Sequence, residues 1–320
     1  MSGPGTPPAA RVVELEIAQI SVRLSAERLD LPLVVPAAVE PFVRPVGGPP
    51  DIELSVDWMG EQTERAGLAG SHLVFDSDQL WRLFRGPGPA KDWIFRLASG
   101  RFGPRAYRLA RLTAGFERGT IYVDRRSAYA EGVYPLEYPL DELLWIHMLG
   151  ARRGACLHAC GVVDVDGAGY LFVGQSGAGK STTARLWTAT RPISILSDDR
   201  VIVRADGDGF TLHGTPWHGD GPFARPGNAP LRAIFLLAQA PRTELLALPP
   251  ARAVGRLLAA SFLPFHDAQL VANAAELLSA AVLHIPCFEL RFTPDASAVE
   301  IVAQGRSRGP ELLEKEDLPC

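Results

Sequence analysis

GQSGAGKSTTARLW, running from Gly174 to Trp187, is the stretch that decides how this chain is read. Its first eight residues satisfy the phosphate-loop (Walker A) pattern G-x-x-x-x-G-K-[ST] at every fixed position. The apolar segment YLFV, residues 170–173, enters the loop as a strand, and a helix is expected from Lys180 to Thr190. Gly174, Gly177 and Gly179 permit backbone angles that other residues resist, so that the amides of Gln175, Ser176 and Ala178 can turn toward phosphate oxygens. The N-terminus of the helix adds its dipole to the same anion site, beside Thr182. Lys180 supplies a full positive charge to the β- and γ-phosphates, and the Ser181 hydroxyl is placed to ligate Mg²⁺. A bound nucleoside triphosphate is therefore the expectation.

Two acids follow closely. Asp198 and Asp199 end the apolar run ISIL, residues 193–196, which reads as a buried strand. Carboxylates at the carboxyl end of a strand beside such a loop can hold the metal or accept a proton. Adjacent carboxylates repel, and Mg²⁺ together with Lys180 would offset that repulsion. The plainer alternative is a pair that caps a strand or bridges to Arg200. His158 lies in LHACGVV, the strand before the loop, where an imidazole can reach the transferring phosphate or serve as a satisfied core histidine. The alternation of Cys156, His158 and Cys160 admits a metal, but no second ligand pair follows, and a strand with small or apolar residues on one face accounts for it.

Outward from the loop, strands and helices alternate. Leu157 to Val165 and Gly169 to Val173 read as strands joined by an Asp-Gly turn. RVIVRA (201–205 with Arg200), PLRAIFLLAQ (230–239) and CFELRF (287–292) are further strands, and helices are expected over 251–260 and 273–283. The first 130 residues are instead strand-rich. VVELEIAQISVRL changes the parity of its apolar residues near Ala18-Gln19, which suggests a bulge. DIELSVDW alternates with Ile52, Leu54, Val56 and Trp58 on one face; SHLVFD and GTIYVDRR add two strands. Asp141 is placed to cap a helix with Glu142 in its first turn and Leu143, Leu144, Ile146 and Leu149 as its apolar stripe. These readings give a β-rich N-terminal domain over 1–130, an α/β nucleotide-binding domain over 131–310, and a tail over 311–320.

The 320 residues carry 47% apolar and 21% charged residues and a net charge of −4, those of an ordinary globular protein with no basic surface for nucleic acid or an anionic membrane. The skew of basic residues toward arginine fits a high-G+C bacterial coding bias. Four cysteines make no disulfide framework in a chain of this size. No apolar run approaches a membrane span, and the opening MSGPGTPPAARVVELE lacks a signal peptide's layout, so a cytoplasmic location is expected.

The blocks LHACGVV, GYLFVGQSGAGKST, LSDDRV and HGTPWHGD, in this order, resemble the HPr kinase/phosphorylase family and its divergent relatives, some found with ribosomally made peptide clusters. More broadly the pattern is similar to the phosphoenolpyruvate carboxykinase-type nucleotide fold. The resemblance covers about residues 140–300 and implies a serine kinase using ATP and Mg²⁺. It makes His158 the active-site histidine, Lys180 the phosphate lysine, Ser181 the magnesium serine and Asp199 the proton acceptor, with Asp198 sharing metal and substrate contacts. The family's EVRG signature is absent; Asp220 or His218 would take the place of its glutamate, and Arg225 and Arg232 are the arginines nearest to its catalytic arginine. The acceptor implied is a small protein or peptide, such as the precursor of a peptide natural product, and a homo-oligomer is compatible with the pattern. Two alternatives stand beside this one: a regulatory module that binds ATP without turning it over, and a carboxykinase-like enzyme of a small metabolite.

Overall fold

The computed structural model of the protein describes residues 11–307 apart from 79, 220 and 222. The tail over 311–320 and Asp220 therefore lie outside the described residues. The chain forms two compact units that divide between Met148 and Leu149, later than the boundary near residue 131 read from the sequence.

The first unit contains one nine-stranded sheet. It opens with a hairpin of β1 (Val12–Ile17) and β2 (Ile20–Ser25). Ala18 and Gln19 between them have φ of 52° and 59°, so the parity change is a two-residue turn rather than the expected bulge. Positive φ at both central residues matches the twist of the flanking strands, which is why this turn closes hairpins. β3 (Val43–Arg44), β4 (Ile52–Trp58), α1 (Thr63–Leu68), β5 (His72–Asp76), β6 (Trp81–Arg85), β7 (Trp93–Ser99), β8 (Gly103–Leu112) and β9 (Arg118–Val123) follow. The sheet order is β3-β1-β2-β4-β9-β8-β7-β6-β5. Alternation in β4 buries Ile52, Leu54 and Val56 as expected, while Trp58 is only half-buried.

Helix α2 (Leu140–Ala151) explains the later boundary. Its Trp145 Nε1 donates to the carbonyl of Ile17 at 3.1 Å, and the ring of His147 stacks on Phe116 at 4.9 Å. The helix thus starts one residue before Asp141 and packs for most of its length on the β-rich unit. From Leu140 to Gly150 it is buried nearly all round, Asp141 and Glu142 included; Ile146 is partly covered, and only the terminal Ala151 is exposed. The single apolar stripe expected there does not describe it.

The second unit has a mixed sheet with helices on both faces. Its elements are β10 (Gly154–Val163), β11 (Gly169–Val173), α3 (Lys180–Thr190), β12 (Ser194–Ser197), β13 (Arg200–Asp206), β14 (Gly209–His213), β15 (Asn228–Gln239), β16 (Glu244–Ala247), α4 (Pro250–Ala259), β17 (Ser261–Phe262), α5 (Ala268–His284), β18 (Cys287–Phe292) and α6 (Ser297–Ser307). Period-two alternation sorts the side chains of each strand between two cores. Leu171, Val173, Ile234 and Leu236 pack with Ala253, Leu257, Leu277 and Leu278 of α4 and α5. Tyr170, Phe172, Ala233 and Phe235 pack with Ala184 and Trp187 of α3 and Val299 and Val302 of α6.

β11, β15 and β18 run parallel side by side, whereas β10 is antiparallel to β11 and to β12. The carboxyl ends of β12, β11, β15 and β18 therefore emerge on the same edge of the sheet, with β12 on one flank of β11 and β15 and β18 on the other.

Candidate functional site

The glycine loop joins β11 to α3 at that edge. Gly177 and Gly179 have φ of 80° and 105°, angles that favour glycine, and Gly179 caps the helix in the left-handed region. Close packing adds a second reason for glycine. A Cβ on Gly174 would lie 2.5 Å from the Cβ of Ala178, and one on Gly179 would lie 2.6 Å from Cζ of Phe292. The loop is held from outside by Gln239, at the end of β15, whose Nε2 donates to the carbonyl of Gly177 at 2.7 Å. Lys180 folds back over the loop, its Nζ donating to the carbonyls of Gly174 and Gln175 at 3.0 and 3.2 Å. Burial lowers the proton affinity of the Lys180 amine, and Asp199 and Asp198 pull it the other way. Loop, lysine and acids are thus electrostatically one site.

The bend between β12 and β13 brings both acids to the loop and gives them different partners. Asp198 is completely buried. Its Oδ2 accepts the Ser181 hydroxyl at 2.9 Å and the amide of Gly221 at 3.4 Å, and its Oδ1 accepts the amide of Gly219 at 2.8 Å. The segment after β14 lies against this bend through two more bonds: Ser197 Oγ donates to the carbonyl of Trp217 at 3.0 Å, and Thr215 Oγ1 donates to that of Arg200 at 2.6 Å.

Asp199 faces His158 and Arg200. Its Oδ1 lies 2.8 Å from Nε2 of His158, and its Oδ2 is paired with Nη1 of Arg200. Burial pushes its pKa up, but the His158 hydrogen bond and the charges of Arg200 and Lys180 reverse this and leave the group below the usual carboxylate range. An ionised carboxylate only accepts, so the proton of the His158–Asp199 bond sits on Nε2. Phe262 of β17 lies beneath both partners: the Arg200 guanidinium is 4.8 Å from its ring centre, and the His158 ring meets it edge-on at 5.9 Å. Cys156 and Cys160, on either side of His158 in β10, are buried. Among the described residues no group of three or more His, Cys, Asp or Glu is arranged to hold a metal ion.

Of the residues singled out from the sequence, His158, Lys180, Ser181, Asp198 and Asp199 meet at one edge of the sheet with the whole loop from Gly174 to Thr182. Two arginines do not join them. Arg225 reaches Ser194 Oγ at 3.3 Å, at the opposite end of β12 from the acids, and Arg232 sits exposed in the first half of β15, away from the loop edge. His218 is exposed, with Nδ1 2.9 Å from the carbonyl of Gly219. Beside these residues stand Arg200, which the sequence offers only as a neighbour of the acids, and Phe262, Gln239 and Phe292, which the motifs do not point to. Arg200 was discoverable from its adjacency to Asp199. The other three are far from the motif in the chain and had no local signal.

No protein-family model matches this chain, and no curated protein matches it either.

Proposed function

We propose that this protein is a cytoplasmic ATP-dependent kinase of the HPr-kinase-like type, transferring the γ-phosphoryl group of ATP to a serine or another hydroxyl of a small protein or peptide. The observation that carries this reading is the division of labour between the acids: Asp198 bonds Ser181 of the glycine loop, while Asp199, one residue on, bonds His158. A loop that only gripped phosphate would have no use for the second arrangement.

The residues present fit Mg²⁺ and a triphosphate. Ser181 and Asp198 offer hard oxygen donors in contact with one another, and the left-handed backbone at Gly177 and Gly179 lets the loop amides turn toward phosphate oxygens. Bound Mg²⁺ would neutralise charge on the phosphates. The remaining work falls to the chain. Lys180 exchanges its two loop carbonyls for phosphate oxygens. Asp199 takes the proton of the acceptor hydroxyl as its oxygen bonds to the γ-phosphorus and the bond to the β–γ bridging oxygen breaks, leaving ADP. Both oxygens of Asp199 are engaged at rest, so the acceptor must replace one partner. Arg200 is the one to yield, because its guanidinium gains a new anionic partner in the transferring group while His158 keeps the carboxylate oriented.

The test is direct. The purified protein, γ-labelled ATP and candidate peptides should give a phosphopeptide that disappears in Asp199→Asn. Transfer at the wild-type rate in that variant would refute the reading.

A further inference from the structure

Three parallel strands of the first unit, β2, β4 and β9, lie side by side in its sheet. Period-two alternation sends Leu24, Leu54, Val56 and Ile121 into the core. The residues between them align in register on the opposite face: Ser25 beside Ser55 beside Thr120, and Asp57 beside Tyr122. At the usual strand spacing the three aliphatic hydroxyls form a row about 10 Å long. Over this row opens a cavity of about 310 Å³, lined by these five side chains and by Glu27 and Arg28. Its volume is at the lower end of the range of about 300–1,000 Å³ that small-molecule sites occupy. Among the described residues, none of its four hydroxyls has a hydrogen-bond partner within the protein.

The rim of the cavity is anchored. Glu27 and Arg28 sit in a turn closed by the Leu29 amide on the carbonyl of Ala26 at 3.3 Å, and Ala26 and Leu29 are buried. Asp30 accepts Trp58 Nε1 at 2.7 Å and pairs with the Arg125 guanidinium, which lies 4.2 Å from the Trp58 ring centre. Arg28 reaches across to Asp57, with Nη1 3.3 Å from Oδ2, a contact loose enough to be exchanged.

We propose that this cavity binds a neutral polyhydroxylated ring, a single sugar unit. Each of the four hydroxyls can both donate and accept, so a ligand whose own polar groups do both matches all of them. The Asp57 carboxylate can accept from two neighbouring ligand hydroxyls, and Arg28 can donate to ligand oxygens. The Tyr122 side chain adds an apolar body beside its hydroxyl, against which the C–H face of a sugar can rest. Ionic ligands fit less well. An anion would face the carboxylates of Asp57 and Glu27, and a compact cation would leave Arg28 and the hydroxyl protons without an acceptor. The site lies within the first unit and is independent of the reading of the glycine loop.

The experiment titrates the full chain with the methyl glycosides of glucose, galactose and mannose, with citrate and spermidine as anionic and cationic controls. At least one glycoside should bind with a Kd of about 1 mM, and more tightly than either control. Ser55→Phe fills the middle of the row from the solvent side of the sheet, where an aromatic residue suits a strand; it should weaken that glycoside more than about tenfold. Asp57→Asn, which keeps the shape and removes the charge, should weaken it about tenfold. Both variants should keep the wild-type melting temperature within a few degrees and bind ATP as the wild type does. The proposal is overturned if none of the three glycosides binds at concentrations up to about 100 mM. It is equally overturned if Ser55→Phe binds the glycoside unchanged, or if citrate or spermidine binds better than every glycoside.

Discussion

Replacing each aspartate of the pair by asparagine would separate the proposed metal binding from the proposed phosphoryl transfer. In Asp198→Asn the amide can keep its oxygen toward the Gly219 amide at 2.8 Å and turn its nitrogen toward Ser181, whose hydroxyl then accepts instead of donating. Only the long bond from Gly221, at 3.4 Å, faces the wrong group. The fold therefore survives at a cost of about 1–2 kcal/mol, the difference between charged and neutral acceptors. The proposed metal site does not survive. It loses a negative charge, and the lone pair of Ser181 is taken by the new amide, so Mg²⁺ affinity should fall about 10–100-fold. Asp199→Asn leaves Ser181 and Asp198 untouched. Its oxygen can stay on Arg200 while its nitrogen faces His158, which accepts in its other tautomer.

The assay is ATP binding with and without Mg²⁺, followed by single-turnover transfer to an acceptor. Asp198→Asn should lose the tightening that Mg²⁺ gives to ATP. Asp199→Asn should keep that tightening within about threefold yet slow transfer by about 10²–10⁴, the usual contribution of a positioned base. The reverse pattern, or equal loss of both properties in both variants, would refute the assignment of metal to one acid and proton to the other.

Three further outcomes follow from the geometry. Gly179→Ala combines a φ of 105° with a Cβ placed 2.6 Å from Cζ of Phe292; it should cost about 2 kcal/mol in unfolding free energy and abolish ATP binding in the same preparation. Gln19→Gly relieves one positive φ in the opening hairpin and should stabilise the first unit by about 1 kcal/mol, read as a rise in its melting temperature. His213 is buried, and burial together with the charge of Arg204 lowers its pKa from 6.5 to about 4. Below pH 6.5 the unfolded chain binds a proton that the folded chain does not. Its contribution to stability is thus present above pH 6.5 and is lost as pH falls toward 4, by up to about 3 kcal/mol. Denaturant melts from pH 7 to 4 should show a shallower loss in His213→Gln than in wild type; identical slopes would exclude this histidine as the cause.

The sequence was most legible where local chemistry and period agree. The loop and α3 stand where the glycines, the lysine and the strand before them put them: the left-handed Gly179 starts the helix, and Thr183, Ala184 and Trp187 bury one face of it. β12 and the acids after it were equally readable from an apolar run that ends in charge. The Ala18-Gln19 turn was misread because neither residue is a usual choice for positive φ, so a hairpin looked like one bulged strand. α2 was misjudged for a different reason. A helix buried all round shows no amphipathic period, and its partners, the carbonyl of Ile17 and the ring of Phe116, lie far away in the chain. β6, β7 and β8 escaped notice because their arginines, such as Arg108, break the alternation. Arg108 is nonetheless buried, and its guanidinium donates to the carbonyls of Tyr107 and Tyr134 and pairs with Glu137.

Why two consecutive acids should be useful at all follows from the bend they occupy. Two carboxylates facing the same ligand would repel one another and resist joint ionisation. Here the chain turns between them, so each has its own hydrogen-bond partners, and Lys180 attracts both. Asp198 is enclosed by two backbone amides and a hydroxyl, a set that holds a charge in place without carrying one. Asp199 is paired with an arginine and a histidine, groups that can move or exchange a proton. The first environment suits a fixed electrostatic anchor, and the second suits a group whose partners change during a reaction. Among its described residues the segment 214–221 makes the difference, because the amides of Gly219 and Gly221 go to the first acid and none to the second. A change in this segment that removed those amides, leaving the loop and both acids in place, should therefore weaken the proposed metal site before it touches the proposed proton acceptor.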